Sequence, residues 1–171
     1  HYRHDHANVH RGIHTLSERS TEEMEQARHI IQELIGAEHP EEIIFTSGAT
    51  DSINLLARSL SFGLLKPGDE ILTTEMEHHA NLIPWQEACR RRKAKLRVVP
   101  VTKSGDLDYG SFQQMLTEKT RLVAVTGVSN VTGTVNDLSA IIRQAHKYGA
   151  WALVDASQMM RHQVIDVQAL D

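Results

Sequence analysis

Five short apolar runs rich in β-branched residues recur along the chain: EEIIFTS (41–47), DEILTTE (69–75), LRVVPV (96–101), TRLVAVTGVS (120–129) and WALVDAS (151–157). Most are separated by helical patterns. A continuously apolar run of this length reads as a strand covered on both faces, and strands alternating with helices assemble into a mostly parallel sheet with helices on both sides. The fold class expected is therefore α/β. Ser20 and Glu23 have the spacing of a capping box for a helix through Met24, Ala27, Ile31, Leu34 and Ile35, closed by Gly36. Further helices are expected behind Gly48, with Ile53, Leu56 and Leu60 on one face, from about Asn81, around residues 110–117, and from Asp137 to Tyr148. LLKPGDE and KSGDLD punctuate turns. With no internal repeat or linker, the 171 residues read as one domain or part of one. The chain starts at His1 without a methionine and stops at Asp171 without an obvious terminal element, so it is expected to be a piece of something longer.

Composition removes several classes of function. An apolar fraction of 40% and a charged fraction of 23% are those of a globular domain, and no apolar run approaches the roughly 20 residues that span a bilayer. A net charge of −4 argues against broad nucleic-acid binding, which needs a basic surface to displace counterions. Arg90-Arg91-Arg92-Lys93 is a local exception, best placed at a helix C-terminus, where the dipole favours cations. The single cysteine, Cys89, rules out an internal disulfide and fits a reducing compartment such as the cytoplasm. His1, His4, His6, His10 and His14 are irregularly spaced and lack cysteine partners, so no metal site is expected there.

In open α/β sheets, ligands gather outside the carboxyl ends of the strands. The residues just after the runs are therefore the informative ones. Ser47-Gly48-Ala49-Thr50 opens a helix, either as a plain tight turn or as a cradle whose free amides and Thr50 hydroxyl receive a phosphate or carboxylate. Glu75-Met76-Glu77-His78-His79-Ala80-Asn81 is either a polar helix entrance or the source of an imidazole that stacks on an aromatic ligand. Asn130 stands in a glycine bend, as turn chemistry or as an amide facing an oxygen-bearing ligand. Asp155 ends a strand as apolar as WALV, where it caps a helix or pairs with a protonated ring nitrogen; Gln158 is available for another ligand atom. An anion cradle, a stacking imidazole, an amide and a carboxylate together suit a phosphorylated heteroaromatic cofactor.

With these residues in view, the sequence resembles the class V, fold-type I pyridoxal-phosphate enzymes, most closely the SufS-type cysteine desulfurases, also described as selenocysteine lyases. The likeness runs through ANVHRGIHTLS (7–17), FTSGATDSINL (45–55), EMEHHANLIPWQ (75–86), TRLVAVTGVSNVTGTVNDL (120–138), VDASQ (154–158) and DVQALD (166–171). It implies pyridoxal 5'-phosphate as cofactor and part of the large, cofactor-binding domain as the fold. In that scheme Ala49 and Thr50 hold the phosphate and His78 stacks on the ring. Asn130 and Gln158 approach the phenolic oxygen, and Asp155 holds the ring nitrogen. Two small departures occur: Gly-Ala-Thr-Asp where Gly-Thr-Thr-Glu is more frequent, and Ser157 where alanine is usual.

The resemblance further implies L-cysteine or L-selenocysteine as substrate, with sulfur passed to an enzyme cysteine as persulfide and on to an acceptor protein, for iron–sulfur cluster assembly or other sulfur transfer. It also implies a homodimer, and residues 1–16 as an arm near the active site or dimer interface. The family's cofactor-linking lysine lies beyond the Asp-Val-Gln-Ala-Leu-Asp block, and its substrate-binding arginine and sulfur-accepting cysteine lie downstream. Lys66, Lys93, Lys95, Lys103, Lys119 and Lys147 have no matching context, so the isolated chain is expected to be inactive. Cys89 reads as a packing residue. The rival readings are a kynureninase-like lyase, an epimerase or an aminotransferase of the same class, and a non-catalytic α/β binding piece.

Overall fold

The computed structural model describes residues 7–10 and 12–170. These gather into two compact units, one made of residues 7–45 with Val164–Ala169, the other of Thr46–Gln163 with Leu170.

The first unit is built on helix α1 (Thr15–Ile35). The helix begins upstream of the capping box that Ser20 and Glu23 suggest, because His14 supplies the cap: its Nδ1 accepts from Ser17 N at 3.3 Å. Ser20 lies inside the helix and donates to Leu16 O. The other end falls as expected, at Gly36, whose φ of 66° is the left-handed conformation that glycine adopts cheaply. EEIIFTS is not a strand. Pro40–Glu42 form a 3-10 turn and residues 43–46 carry no regular structure. β-propensity describes a residue's fit to a half-buried pleated surface, and a strand also needs a neighbour for its ladder. Here Ile44 is 69% exposed and Phe45 45%, with the Arg28 guanidinium 5.2 Å from the Phe45 ring centre.

The second unit contains the sheet. After helix α2 (Ala49–Leu64) come β1 (Glu70–Thr74), α3 (Ile83–Arg92), β2 (Lys95–Val99), α4 (Tyr109–Met115), β3 (Thr120–Thr126), α5 (Leu138–Lys147) and β4 (Trp151–Asp155). The strands are all parallel in the order β2-β1-β3-β4. Alternate residues of the central strands face opposite sides and both sides are dry: Leu122 and Ala124 on one, Val123 and Val125 on the other. Ile71, Leu122 and Ala124 pack with Ile53 and Ala57 of α2 and Trp85, Ala88 and Cys89 of α3. α4 and α5, with Phe112, Ile141 and Ala145 buried, lie against β2 and against β3 and β4. Asp137 caps α5, accepting from Ala140 N at 3.0 Å.

The arginine run ends α3 and is used internally. Arg90 and Arg91 both pair with Glu87, and Arg92 donates to the carbonyl of Leu65. Lys93 is the left-handed cap that follows. No helix among the described residues is long and apolar enough to cross a membrane.

Candidate functional site

The strand order creates a crevice before any side chain is considered. From β1 the chain crosses to β2 on one side and then returns to β3 on the other, so the two connections diverge between the carboxyl ends of β1 and β3. His78 follows β1, Asn130 follows β3, and Asp155 ends β4, which is paired with β3 so that Thr126 lies beside Asp155. Three adjacent strands thus bring His78, Asn130, Asp155 and Gln158 to one edge of the sheet. α2 and α3 run side by side in the same direction, since Arg92 at the end of α3 reaches Leu65 at the end of α2. α2 also touches the 3-10 turn His79–Asn81 that precedes α3. The amino end of α2, with Ala49 and Thr50, therefore lies on the side of the His78 loop.

Local chemistry explains each placement. Gly48 has φ 148° and ψ 175°, a conformation that L side chains rarely adopt, and it turns the chain directly into α2. The Ala49 and Thr50 amides and the Thr50 hydroxyl have no acceptor among the described residues, so the positive end of a 16-residue helix is open. His78 is exposed, and its Nδ1 accepts from Ala80 N at 3.1 Å. As an acceptor, Nδ1 carries no proton, so the neutral ring carries it on Nε2. Its neighbour His79 is tilted 49° away with ring centres 6.2 Å apart, so the two imidazoles do not act as a stacked pair. Asn130 is carried on a turn organised by buried Ser129, whose hydroxyl accepts from Val131 N and Thr132 N. The Asn130 and Gln158 carboxamides make no hydrogen bond among the described residues.

Asp155 is half-buried. Its Oδ1 receives both the Ser157 amide (3.0 Å) and the Ser157 hydroxyl (2.5 Å), while Oδ2 has no partner among the described residues. Helix capping accounts for one oxygen only. Ser157 thus fixes the carboxylate's rotation and leaves the other oxygen available.

Glu77 was legible only as one letter in the His78 motif, yet it holds the crevice together. Its Oε1 accepts from the Thr74 hydroxyl (2.6 Å) and from Thr126 N (2.9 Å), and its Oε2 from Asn81 Nδ2 (2.7 Å). Asn81 Oδ1 in turn accepts from Trp85 Nε1 at 3.1 Å. Burial holds Glu77 above the ordinary carboxylate range; the three donors oppose this, and the charge of Asp155 adds to it. Gly127, just after β3, lies close under Met159: a Cβ there would come within 2.6 Å of Met159 Sδ, and that side chain would have to shift.

Cys89 faces the core, and burial pushes its thiol up to about 11, so it is a packing group and no nucleophile at neutral pH. Of the amino-terminal histidines, His1, His4 and His6 lie outside the described residues; His10 pairs with Glu25 at 3.1 Å and His14 caps α1. Within the arm expected over residues 1–16, Thr15 and Leu16 already belong to α1.

The aminotransferase class-V profile matches residues 1–171. The chain belongs to the class-V aminotransferase family. Within that family it is 52% identical over 170 residues to a cysteine desulfurase of Dickeya dadantii, covering 99% of this chain and 41% of that protein. A cysteine desulfurase of Escherichia coli is 48% identical over 170 residues, with 99% and 42% covered. The apo structure of a cysteine desulfurase from Thermococcus onnurineus superposes with a TM-score of 0.92 at 37% identity, covering 99% of this chain and 42% of that one. The class-V chain described here therefore spans about two fifths of the length of the relatives it matches.

Proposed function

We propose that this chain forms part of the cofactor-binding layer of a pyridoxal-5'-phosphate-dependent cysteine desulfurase. The observation that carries the reading is the set of polar groups without partners among the described residues, at the start of α2 and at adjacent strand ends: the α2 amides, Asn130, Gln158 and Asp155 Oδ2. The donor set suits the cofactor atom by atom. The α2 amino terminus and Thr50 take the phosphate, the His78 imidazole covers the ring, and Asp155 Oδ2 accepts the ring N–H. Asn130 and Gln158 present amides to the phenolic oxygen. Bound there, the cofactor supplies an electron sink. Asp155 keeps the ring proton in place because Ser157 already occupies its other oxygen and blocks rotation.

The overall reaction we assign to the natural protein is conversion of L-cysteine to L-alanine, the sulfur leaving on an enzyme cysteine thiolate as persulfide for delivery to an acceptor protein. L-selenocysteine is the alternative substrate. A homodimer in the cytoplasm, with residues 1–16 as an arm near the active site or dimer interface, completes the proposal. Lys66, Lys93, Lys95, Lys119 and Lys147 sit at helix C-termini or strand starts, away from the crevice, and Lys103 lies in the exposed turn after β2. We assign the group that links the cofactor covalently to residues other than these, five of them by their place in the fold and Lys103 by its sequence context alone. The test is sulfide release from L-cysteine by the natural polypeptide carrying this sequence. Asp155→Ala is expected to abolish it, and release at near the parental rate would overturn the assignment.

A further inference from the structure

Glu77 is a buried carboxylate, 9% exposed, with no cation among the groups that shift it. Burying an anion without a countercharge is costly unless donors replace the lost water. Here the donors are unambiguous. Trp85 Nε1 can only donate, so Asn81 must turn its oxygen to Trp85 and its Nδ2 to Glu77. The Thr74 oxygen accepts from Met76 N at 3.3 Å, and its own proton points to Glu77 Oε1. The third donor is the backbone amide of Thr126, the last residue of β3. Only a pure acceptor matches three donors, and this one bridges the end of β1, the end of β3 and the turn that carries His78.

We propose that Glu77 is a positioning residue of this site: it pins the backbone next to His78 to the last amide of β3 and so sets where the imidazole lies over the crevice. What the imidazole covers there rests on the cofactor reading above; the pinning itself does not. Glu77→Gln keeps the shape but sets the new side-chain NH2 against Asn81 Nδ2, two donors face to face. Adding Asn81→Asp restores every partner, since the carboxylate introduced by the second substitution would accept from both the new amide and Trp85 Nε1. The charge then moves by one side chain only.

The experiment compares the natural polypeptide, Glu77→Gln and Glu77→Gln/Asn81→Asp by two readouts. In cofactor-free protein, amide hydrogen exchange at residues 77–81 and 126 is expected to quicken about tenfold in the single variant and to return close to wild type in the double. Affinity for pyridoxal 5'-phosphate, read from its visible absorbance, is expected to weaken about tenfold and recover in the same order. Wild-type exchange in Glu77→Gln, or a double variant no better than the single, overturns the proposal, as does a double variant that fails to fold. Failure of the unmodified protein to take up the cofactor, with the exchange pattern as expected, overturns the cofactor reading and leaves the brace standing.

Discussion

Asn81→Asp by itself turns the buried network into a proton trap whose size can be worked out. Asn81 is fully buried and its Nδ2 lies 2.7 Å from Glu77 Oε2. The substitution replaces that donor by a second carboxylate oxygen in the same place. Two buried carboxylates at this separation cannot both ionise, so one proton stays between them and takes over the role of the amide hydrogen. In the unfolded chain the same groups lose their protons near the ordinary carboxylate values of about 4. The folded pair thus has a raised pKa and binds a proton that the unfolded chain has released. Stability then falls as pH rises, by about 1.4 kcal/mol per pH unit, from about pH 5 until the shared proton leaves. Over two pH units the loss is about 2.7 kcal/mol beyond any drift of the wild type. Urea unfolding of the natural polypeptide, followed by tryptophan fluorescence at about pH 5, 6 and 7, measures it. Asn81→Ala is the comparison: it removes the same donor and adds no carboxylate, so any pH dependence it gains comes from Glu77 alone. A difference between Asn81→Asp and wild type that does not change with pH would refute the network geometry.

Cys89, with its thiol pushed up to about 11 by burial, is expected to resist iodoacetamide at neutral pH until the protein unfolds; rapid alkylation of the native state would contradict its place in the core. Gly36→Ala is expected to cost about 1–2 kcal/mol or more, because the residue sits at φ 66° and a Cβ would meet Asp166 Oδ1 at 2.9 Å; an unchanged unfolding midpoint would count against the cap. The 171-residue chain alone is expected to form no alanine from L-cysteine, and steady alanine production, measured by amino-acid analysis, would contradict the placement of its lysines.

Where sequence and structure agree, the physics is local or repeats along the chain. DEILTTE, LRVVPV, TRLVAVTGVS and WALVDAS each contain a strand because neighbouring strands supply the ladder; the expected cover on both faces holds for the central β1 and β3, whereas Val98 of edge strand β2 and Trp151 of edge strand β4 stay exposed. EEIIFTS has the same composition and no such neighbour among the described residues, which composition alone does not reveal. The start of α1 escaped because histidine is a less frequent cap than serine, although His14 Nδ1 does the same work. At the site, His78, Asn130, Asp155 and Gln158 could be placed because strand ends are legible. Glu77 could not: Thr74 and Asn81 stand only three and four residues from it, but Thr126 lies 49 residues away and reaches it only when β1 pairs with β3. The clamp of Ser157 on Asp155 is short-range but depends on a rotamer that the letters Asp-Ala-Ser do not disclose.

Whether the strand-end groups hold pyridoxal 5'-phosphate through Asp155 is decided by cofactor retention after desalting, read from visible absorbance, for the natural polypeptide beside its Asp155→Ala variant. Retention by the first is expected, with loss or a large fall in the second. No uptake by the unmodified protein, or equal retention by both, would contradict the role given to Asp155 and the strand ends.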